Sequence, residues 1–374
     1  MTKILRDFMG SVLIVLLLQL STNIAVAQQP CDDQTLMNIK GSWKKRTDAN
    51  MANNQAQVIN HIDAVSNLFK VAYAEPKGME AGWYRTMEGY PLTNNGPQPY
   101  QFNSIYLGWY CDNYLHKVVL GDETGTWAYA FVNSFKWFLS KQYDLLLIKV
   151  NEQDVYILPP IKGEWKGYPV YQSSSHREKG RCIILTHNNQ LPWKPITQEQ
   201  YLHAVRSFWE KQKKTSDDGY IKYEENLRKG IGEIQNNKNL KQPDKDKIIA
   251  SLQKDLDNHE KTKAKDIAKI NKYREDKFSL IDKYINQNTA SLQQPAIIEN
   301  RYVDDFSGSF STLEKGGQLL VTINGNYFNA ALPRYAAQMI VLYWRWDNTV
   351  PALNFKKQFE ENFPADKLKV MIDK

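Results

Sequence analysis

The chain has 374 residues, with 48 Lys or Arg against 41 Asp or Glu. That length allows two or three domains and a sizeable core. The net charge of +7 is too mild to indicate a nucleic-acid partner and fits weak attraction to anionic surfaces at most.

Lys3 and Arg6 precede an apolar run from Phe8 to Leu20, and Ala25-Val26-Ala27 has small residues at both recognition positions of a cleavage site. This pattern predicts a secretory signal peptide, residues 1–27, cut near Ala27 to leave Gln28 as the new terminus. The apolar run is short for a membrane span, and no later segment is apolar for long enough to cross a bilayer. Cys31 does not directly follow the cut, which argues against a lipoprotein. The expectation is a protein secreted to the periplasm or the cell exterior, with no stable membrane insertion after cleavage.

In an oxidising compartment the three cysteines, Cys31, Cys111 and Cys182, permit one intramolecular bridge in three ways. Cys182 sits in Cys182-Ile183-Ile184-Leu185, which reads as a buried strand and suits a free thiol. Cys31 is near a chain end and free to travel. The favoured pairing is therefore Cys31–Cys111.

Residues 28–196 read as the first part of an α+β body. Ile62, Val65, Leu68, Phe69 and Ala72 recur at helical spacing, which predicts a helix from His61 to Tyr73. Strands follow at Trp83 to Arg85, Tyr106 to Cys111, Leu115 to Leu120, Thr126 to Asn133, Leu145 to Val150, Val155 to Leu158, Tyr168 to Gln172 and Cys182 to Thr186. Asp112-Asn113 is the expected hairpin turn. The arrangement predicted is an antiparallel meander with a helix packed on it. Alternation places Ile105, Leu107, Trp109 and Cys111 on the core face, with Tyr106, Tyr110 and Asp112 opposite.

Residues 197–292 change character. Between Thr197 and Ala290 lie 20 Lys or Arg and 16 Asp or Glu. Thr197 and Gln200 form a capping-box pattern that opens a helix. Tyr201, Leu202, Val205, Phe208 and Trp209 form its apolar face, and Asp217-Asp218-Gly219 marks a possible break. Tyr220, Tyr223, Leu227, Ile231 and Ile234 then continue a heptad-like seam. Pro243 opens a second helix, at a position where its missing N–H costs nothing. Its apolar residues run from Ile248 to Leu256 and resume at Ile267. Between them, His259 to Lys265 has almost no apolar seam. The pattern predicts a long, coiled-coil-like antiparallel helical hairpin inserted into the body, loosely packed at its middle or open there to a partner.

Residues 293–374 return to mixed structure. Leu319 to Asn324 and Gln338 to Trp346 read as strands. Phe355, Phe359 and Phe363 share one face of a short helix that Pro364 ends. This segment is expected to rejoin the first sheet.

Few residues suggest chemistry. Cys111 with His116 lacks the electropositive, accessible setting of a nucleophilic thiol. The six histidines include no H-x-x-x-H or H-E-x-x-H spacing. No G-x-S-x-G is present, and Ser173 to His176 reads as a polar loop. The acidic pairs Asp122-Glu123 and Asp304-Asp305 sit in loops, and Gly316-Gly317 lacks any phosphate-loop pattern. No catalytic residue, metal ligand or cofactor site is assigned. Trp127, Tyr129 and Phe131 share a strand face and read as core. The better candidates for ligand-facing residues are Trp165, Tyr168 and Tyr171 in one loop region, and His187, Trp193 and His203 near the junction with the hairpin. His187 and His203 flank the Leu191-Pro192-Trp193 turn.

The segments PCDD (30–33), KGSWKK (40–45), AEPKGMEAGWYRTM (74–87), ETGTWAYAFVNSF (123–135), LPWKPITQEQYL (191–202) and NYFNAALPRYAAQMIVLYW (326–344) resemble a group of uncharacterised exported proteins of Bacteroidota. The resemblance implies export and implies no catalytic residue. The leading expectation is a non-enzymatic binding or interaction protein, whose hairpin contacts a protein partner or a second copy. The alternatives are a hydrolase acting on glycans or peptides, with a cleft near Trp193 and His187, and a carbohydrate-binding module using Trp165 to Tyr171.

Overall fold

The structure, a computed structural model, describes residues 31–51, 55–93, 95–112, 114, 117–139, 148–172, 180–299 and 306–373. The predicted signal peptide, His116, the Ser173–His176 loop, the Asp304-Asp305 pair and the start of the Leu145–Val150 strand lie outside them.

The fold is α+β. In chain order the first elements are α1 (Asp33–Met37), β1 (Trp43–Lys45), α2 (Ala56–Ala72), β2 (Met79–Met87), β3 (Tyr100–Asp112), β4 (Lys117–Leu120) and β5 (Trp127–Val132). Then come β6 (Lys149–Val150), β7 (Gln153–Ile157), β8 (Ile161–Trp165), β9 (Tyr168–Gln172), β10 (Arg181–Thr186) and β11 (Trp193–Pro195). Two long helices follow, α3 (Gln198–Asn236) and α4 (Gln242–Gln287). The chain closes with β12 (Ile297–Ile298), β13 (Gln318–Ile323), β14 (Met339–Arg345), α5 (Val350–Asn362) and α6 (Ala365–Lys369).

The larger sheet has the order β1-β2-β3-β5-β14-β10-β9-β8, with β4 added to β3. All its pairings are antiparallel except β1 with β2. The C-terminal strand β14 lies between β5 and β10, which confirms that the last segment returns to the first sheet. All seven residues of β14 are buried, so both faces of the sheet are covered. On one face Ile340, Leu342 and Trp344 join Phe69 of α2 and Phe355, Phe359 and Phe363. On the other, Met339, Val341 and Tyr343 meet Phe131, Trp193 and two residues of β13, Val321 and Ile323.

The single meander expected from sequence is not what forms. β7 and β13 belong to a second sheet of order β11-β13-β7-β6, with β12 against β13. Strand alternation explains this layer. Val321 and Ile323 face the larger sheet, while Leu320 faces the base of α3 with Tyr201, Leu202 and Val205. The molecule therefore stacks helices, large sheet, small sheet and hairpin base.

The predicted core face of β3 is also corrected. Tyr100, Phe102, Ser104 and Tyr106 are the residues fully inside, and Ile105, Leu107, Trp109 and Cys111 are only partly buried. Tyr106 is inward because its ring packs 4.1 Å from Phe355 and its hydroxyl accepts from Ser104 Oγ at 3.1 Å. Trp127, Tyr129 and Phe131 do share the core face toward the second sheet. The small residues opposite them have a role as well: Ala130 pairs with Phe102 and Ala128 with Trp344, which leaves room for the rings.

Candidate interaction surface on the helical arm

Thr197 opens α3 with the predicted capping box, its hydroxyl accepting from the Gln200 N–H while the Gln200 side chain accepts from the Thr197 N–H. The neck is tied by backbone bonds from Ala296 to Ile196 and from Ile196 to Leu320. Above it, Tyr201, Leu202, Val205 and Ile281 are buried among Val155, Leu292, Phe306 and Leu320. The Tyr284 hydroxyl donates to Gln198 Oε1 at 2.7 Å, and Arg206 pairs with Asp282. These contacts fix the base of the hairpin to the small sheet.

α3 is continuous through Asp217-Asp218-Gly219, so the expected break is absent. A helix-interior glycine costs about 1 kcal/mol relative to Ala, too little to stop a helix held by its partner. Asn237 and Pro243 bound the turn as predicted. The two helices pack as an antiparallel pair with a regular register: Trp209 against Tyr273, Tyr220 with Asp266, Glu224 with Lys263, and Arg228 with Glu260.

The middle of the seam is polar and aromatic. The His259 ring lies 4.6 Å from Tyr223 and 5.4 Å from Tyr220, and its Nε2 is 3.4 Å from the Tyr220 carbonyl. Lys263 Nζ donates to Glu224 at 2.8 Å and holds that carboxyl below the usual carboxylate range. Beside the seam runs an open groove of about 600 Å³, bounded by Ser216, Gly219, Tyr223, Asp255, Asn258 and Thr262 among others. A Cβ at Gly219 would meet nothing within 4 Å. Tyr223 is 48% exposed there.

Charge is distributed unevenly along the arm. Residues 211–222 and 261–274 together hold ten Lys or Arg and three Asp or Glu. The distal part, residues 223–260, holds seven and eight. The mild total charge of the chain thus conceals a concentrated basic belt.

The ligand-facing residues expected from sequence do not assemble. Trp165 Nε1 donates to the Glu360 carbonyl at 2.9 Å, and its ring lies 5.0 Å from Trp344. The Tyr168 hydroxyl donates to Asp366 at 2.9 Å. Tyr171 is buried edge-on to Phe138 and is not part of an exposed patch, although its rim touches a cavity of about 450 Å³ beside Arg181 and Trp346. Trp193 is buried among Phe135, Phe138 and Tyr171, so aromatic packing fills the space where a cleft was expected. His187 pairs with Asp373, and its N–H donates to the Tyr327 hydroxyl. His203 is exposed on α3. Among the described residues, no group of three His, Cys, Asp or Glu side chains is placed to hold a metal ion.

The cysteines follow expectation: Cys31 and Cys111 form a disulfide, and Cys182 is a buried free thiol. Burial pushes the Cys182 thiol well up, so it stays protonated and unreactive. The disulfide fits an extracytoplasmic protein. None of the described helices is long and apolar enough to cross a membrane. No protein-family model, curated protein or solved structure matches the chain.

Proposed function

We propose that this is an exported, non-enzymatic binding protein, in which an α+β body carries the helical hairpin as an arm for contact with a partner. One observation carries the reading. Among the described residues, the hydrogen bonds, ion pairs and ring contacts of α3 and α4 beyond Trp209 and Tyr273 run within or between those two helices. From Trp209 to the turn at Asn237 this is an extension of about 40 Å at 1.5 Å per residue. Ordering so much chain costs conformational entropy, and the extension returns nothing to the body's core. A binding surface accounts for its presence.

The Cys31–Cys111 disulfide and the signal-peptide pattern support export, as does the resemblance to exported Bacteroidota proteins. The packed surroundings of Trp193 give no support to a cleft enzyme at that place.

The test is deletion of residues 212–270 with a short glycine linker. Paired helices lie about 8–10 Å apart, so a few residues span the gap. Phe278 and Ile281 belong to the base and are retained. The shortened chain is expected to keep a cooperative thermal transition and its disulfide. Loss of the transition would make the arm part of the core and end this reading.

A further inference from the structure

We infer that the basic belt of the arm is a binding site for an acidic polysaccharide, a flexible chain bearing carboxylates or sulfates; this rests on reading the arm as a binding element. The belt's excess of seven positive charges, ten against three, matches the excess of the entire chain, 48 against 41. Long solvated helices do not need such a bias, because the distal arm is balanced at seven against eight. The surplus is also unneutralised. Lys211, Lys214 and Lys222 on α3, and Lys261, Lys265 and Lys269 on α4, are solvent-exposed, and no ion pair involves them among the described residues. Lys272 shares Asp276 at 3.4 Å.

Helical spacing sorts these lysines. Lys261, Lys265, Lys269 and Lys272 fall three or four residues apart and form one stripe on α4. Lys211, Lys214 and Lys222 form another on α3. The seam is made by Tyr220, Glu224, His259 and Lys263, so each stripe lies on the back of its helix. The backs of two packed helices point in opposite directions. A flat anionic membrane can meet only one stripe at a time, whereas a flexible polyanion can wind across both.

The side chains narrow the class further. The belt holds nine Lys and one Arg, Arg274, whose guanidinium is 5.7 Å from the Phe278 ring. Ammonium groups on flexible stems act as point charges and suit spaced carboxylates or sulfates. Single-stranded nucleic acid is held by aromatic platforms as well as charge, and the belt's two aromatic residues, Tyr220 and Tyr273, pack at the seam on His259 and Trp209, away from the lysine stripes. The exposed ring of Tyr223 belongs to the groove beside the seam.

The experiment uses the full-length protein against immobilised heparin and alginate, with neutral dextran, a thymidine oligonucleotide and phosphatidylglycerol vesicles in parallel. Binding to heparin or alginate is expected, weakening at least about tenfold between roughly 50 and 200 mM salt as counterions compete. Replacing the seven stripe lysines by Gln (K211Q, K214Q, K222Q, K261Q, K265Q, K269Q and K272Q) should weaken it by at least about tenfold. Gln and Lys have similar helix propensity, so helix content should be kept, which circular dichroism checks. Replacing four lysines of the α4 stripe (K261Q/K265Q/K269Q/K272Q) should also weaken it measurably, whereas the equal-charge control K238Q/K241Q/K245Q/K247Q at the tip should stay within about twofold, since those sites lie outside the belt. Equal binding by wild type and stripe variant, no binding to either polysaccharide at low salt, or tighter binding to vesicles or the oligonucleotide would each overturn the inference. None of these outcomes bears on the arm's independence, which the deletion tests separately.

Discussion

Cys111, near the end of the long strand β3, is bridged to Cys31 at the start of the described chain, with Cα atoms 5.7 Å apart across a sequence separation of 80. The bridge lies where β3 pairs only with β4, past its pairings with β2 and β5. It ties down a segment whose helix α1 contributes a single buried residue, Leu36.

Closing a loop of this length restricts the unfolded chain. The double variant C31S/C111S is expected to lose on the order of 2–4 kcal/mol in denaturant titration. A thiol assay should find one reactive group per chain in denaturant and none in the native protein, because Cys182 is 0% exposed. Three thiols in denaturant would contradict the bridge.

Phe359 packs 5.6 Å from Phe69, 4.8 Å from Phe363 and 5.9 Å from Trp344, with no exposed surface. It joins α5 to both α2 and the central strand β14. Phe359→Ala should destabilise the body by about 3–5 kcal/mol, read from the midpoint of urea unfolding. A loss below about 1 kcal/mol would mean that α5 is not part of this core.

His61 has its Nδ1 2.9 Å from the Tyr100 hydroxyl, and that hydroxyl donates to the Tyr335 carbonyl at 3.1 Å. Partial burial lowers the imidazole below its ordinary value of 6.5. The folded state then takes up its proton less readily than the unfolded state. The resulting stability is complete above pH 6.5, erodes as pH falls below it, and stops eroding below the folded-state value. His61→Asn should flatten that part of the stability–pH curve. An unchanged slope would show that other groups produce it.

Gly219 faces the groove with open space where a side chain would stand. Gly219→Ala should raise the stability of the arm by about 1 kcal/mol through helix propensity alone. Hydrogen exchange of amides near Tyr220 and His259 would slow accordingly. Faster exchange would place a steric conflict at this position.

Much of this architecture is legible in the residues themselves. Thr197 and Gln200 declare the start of α3, Pro243 the start of α4, and the Phe355-Phe359-Phe363 repeat the face of α5. Each signal is local, fixed by one turn of helix or one strand. What alternation could not supply was the number of layers. The apolar runs at Val155 and Leu319 look like any other strand, and only tertiary pairing assigns them to a second sheet. Tyr106 shows the same limit, since a tyrosine reads as surface until a hydroxyl partner and ring neighbours appear. Trp193 and Tyr171 are buried where exposure was expected, for the opposite reason: polar neighbours in sequence disguised rings that fill the space between the two sheets. In the arm, the poor apolar pattern from His259 to Lys265 did mark the polar seam. The groove beside it depends on Ser216 and Gly219 of the other helix, a pairing set by register.

The most direct measurement of the arm's independence is hydrogen exchange across the whole native chain. Amides between Lys211 and Lys272 are expected to open as their own unit, exchanging well before those of β5 and β14 and without loosening them. Protection in the arm equal to that of the central strands, lost in the same step, would contradict it.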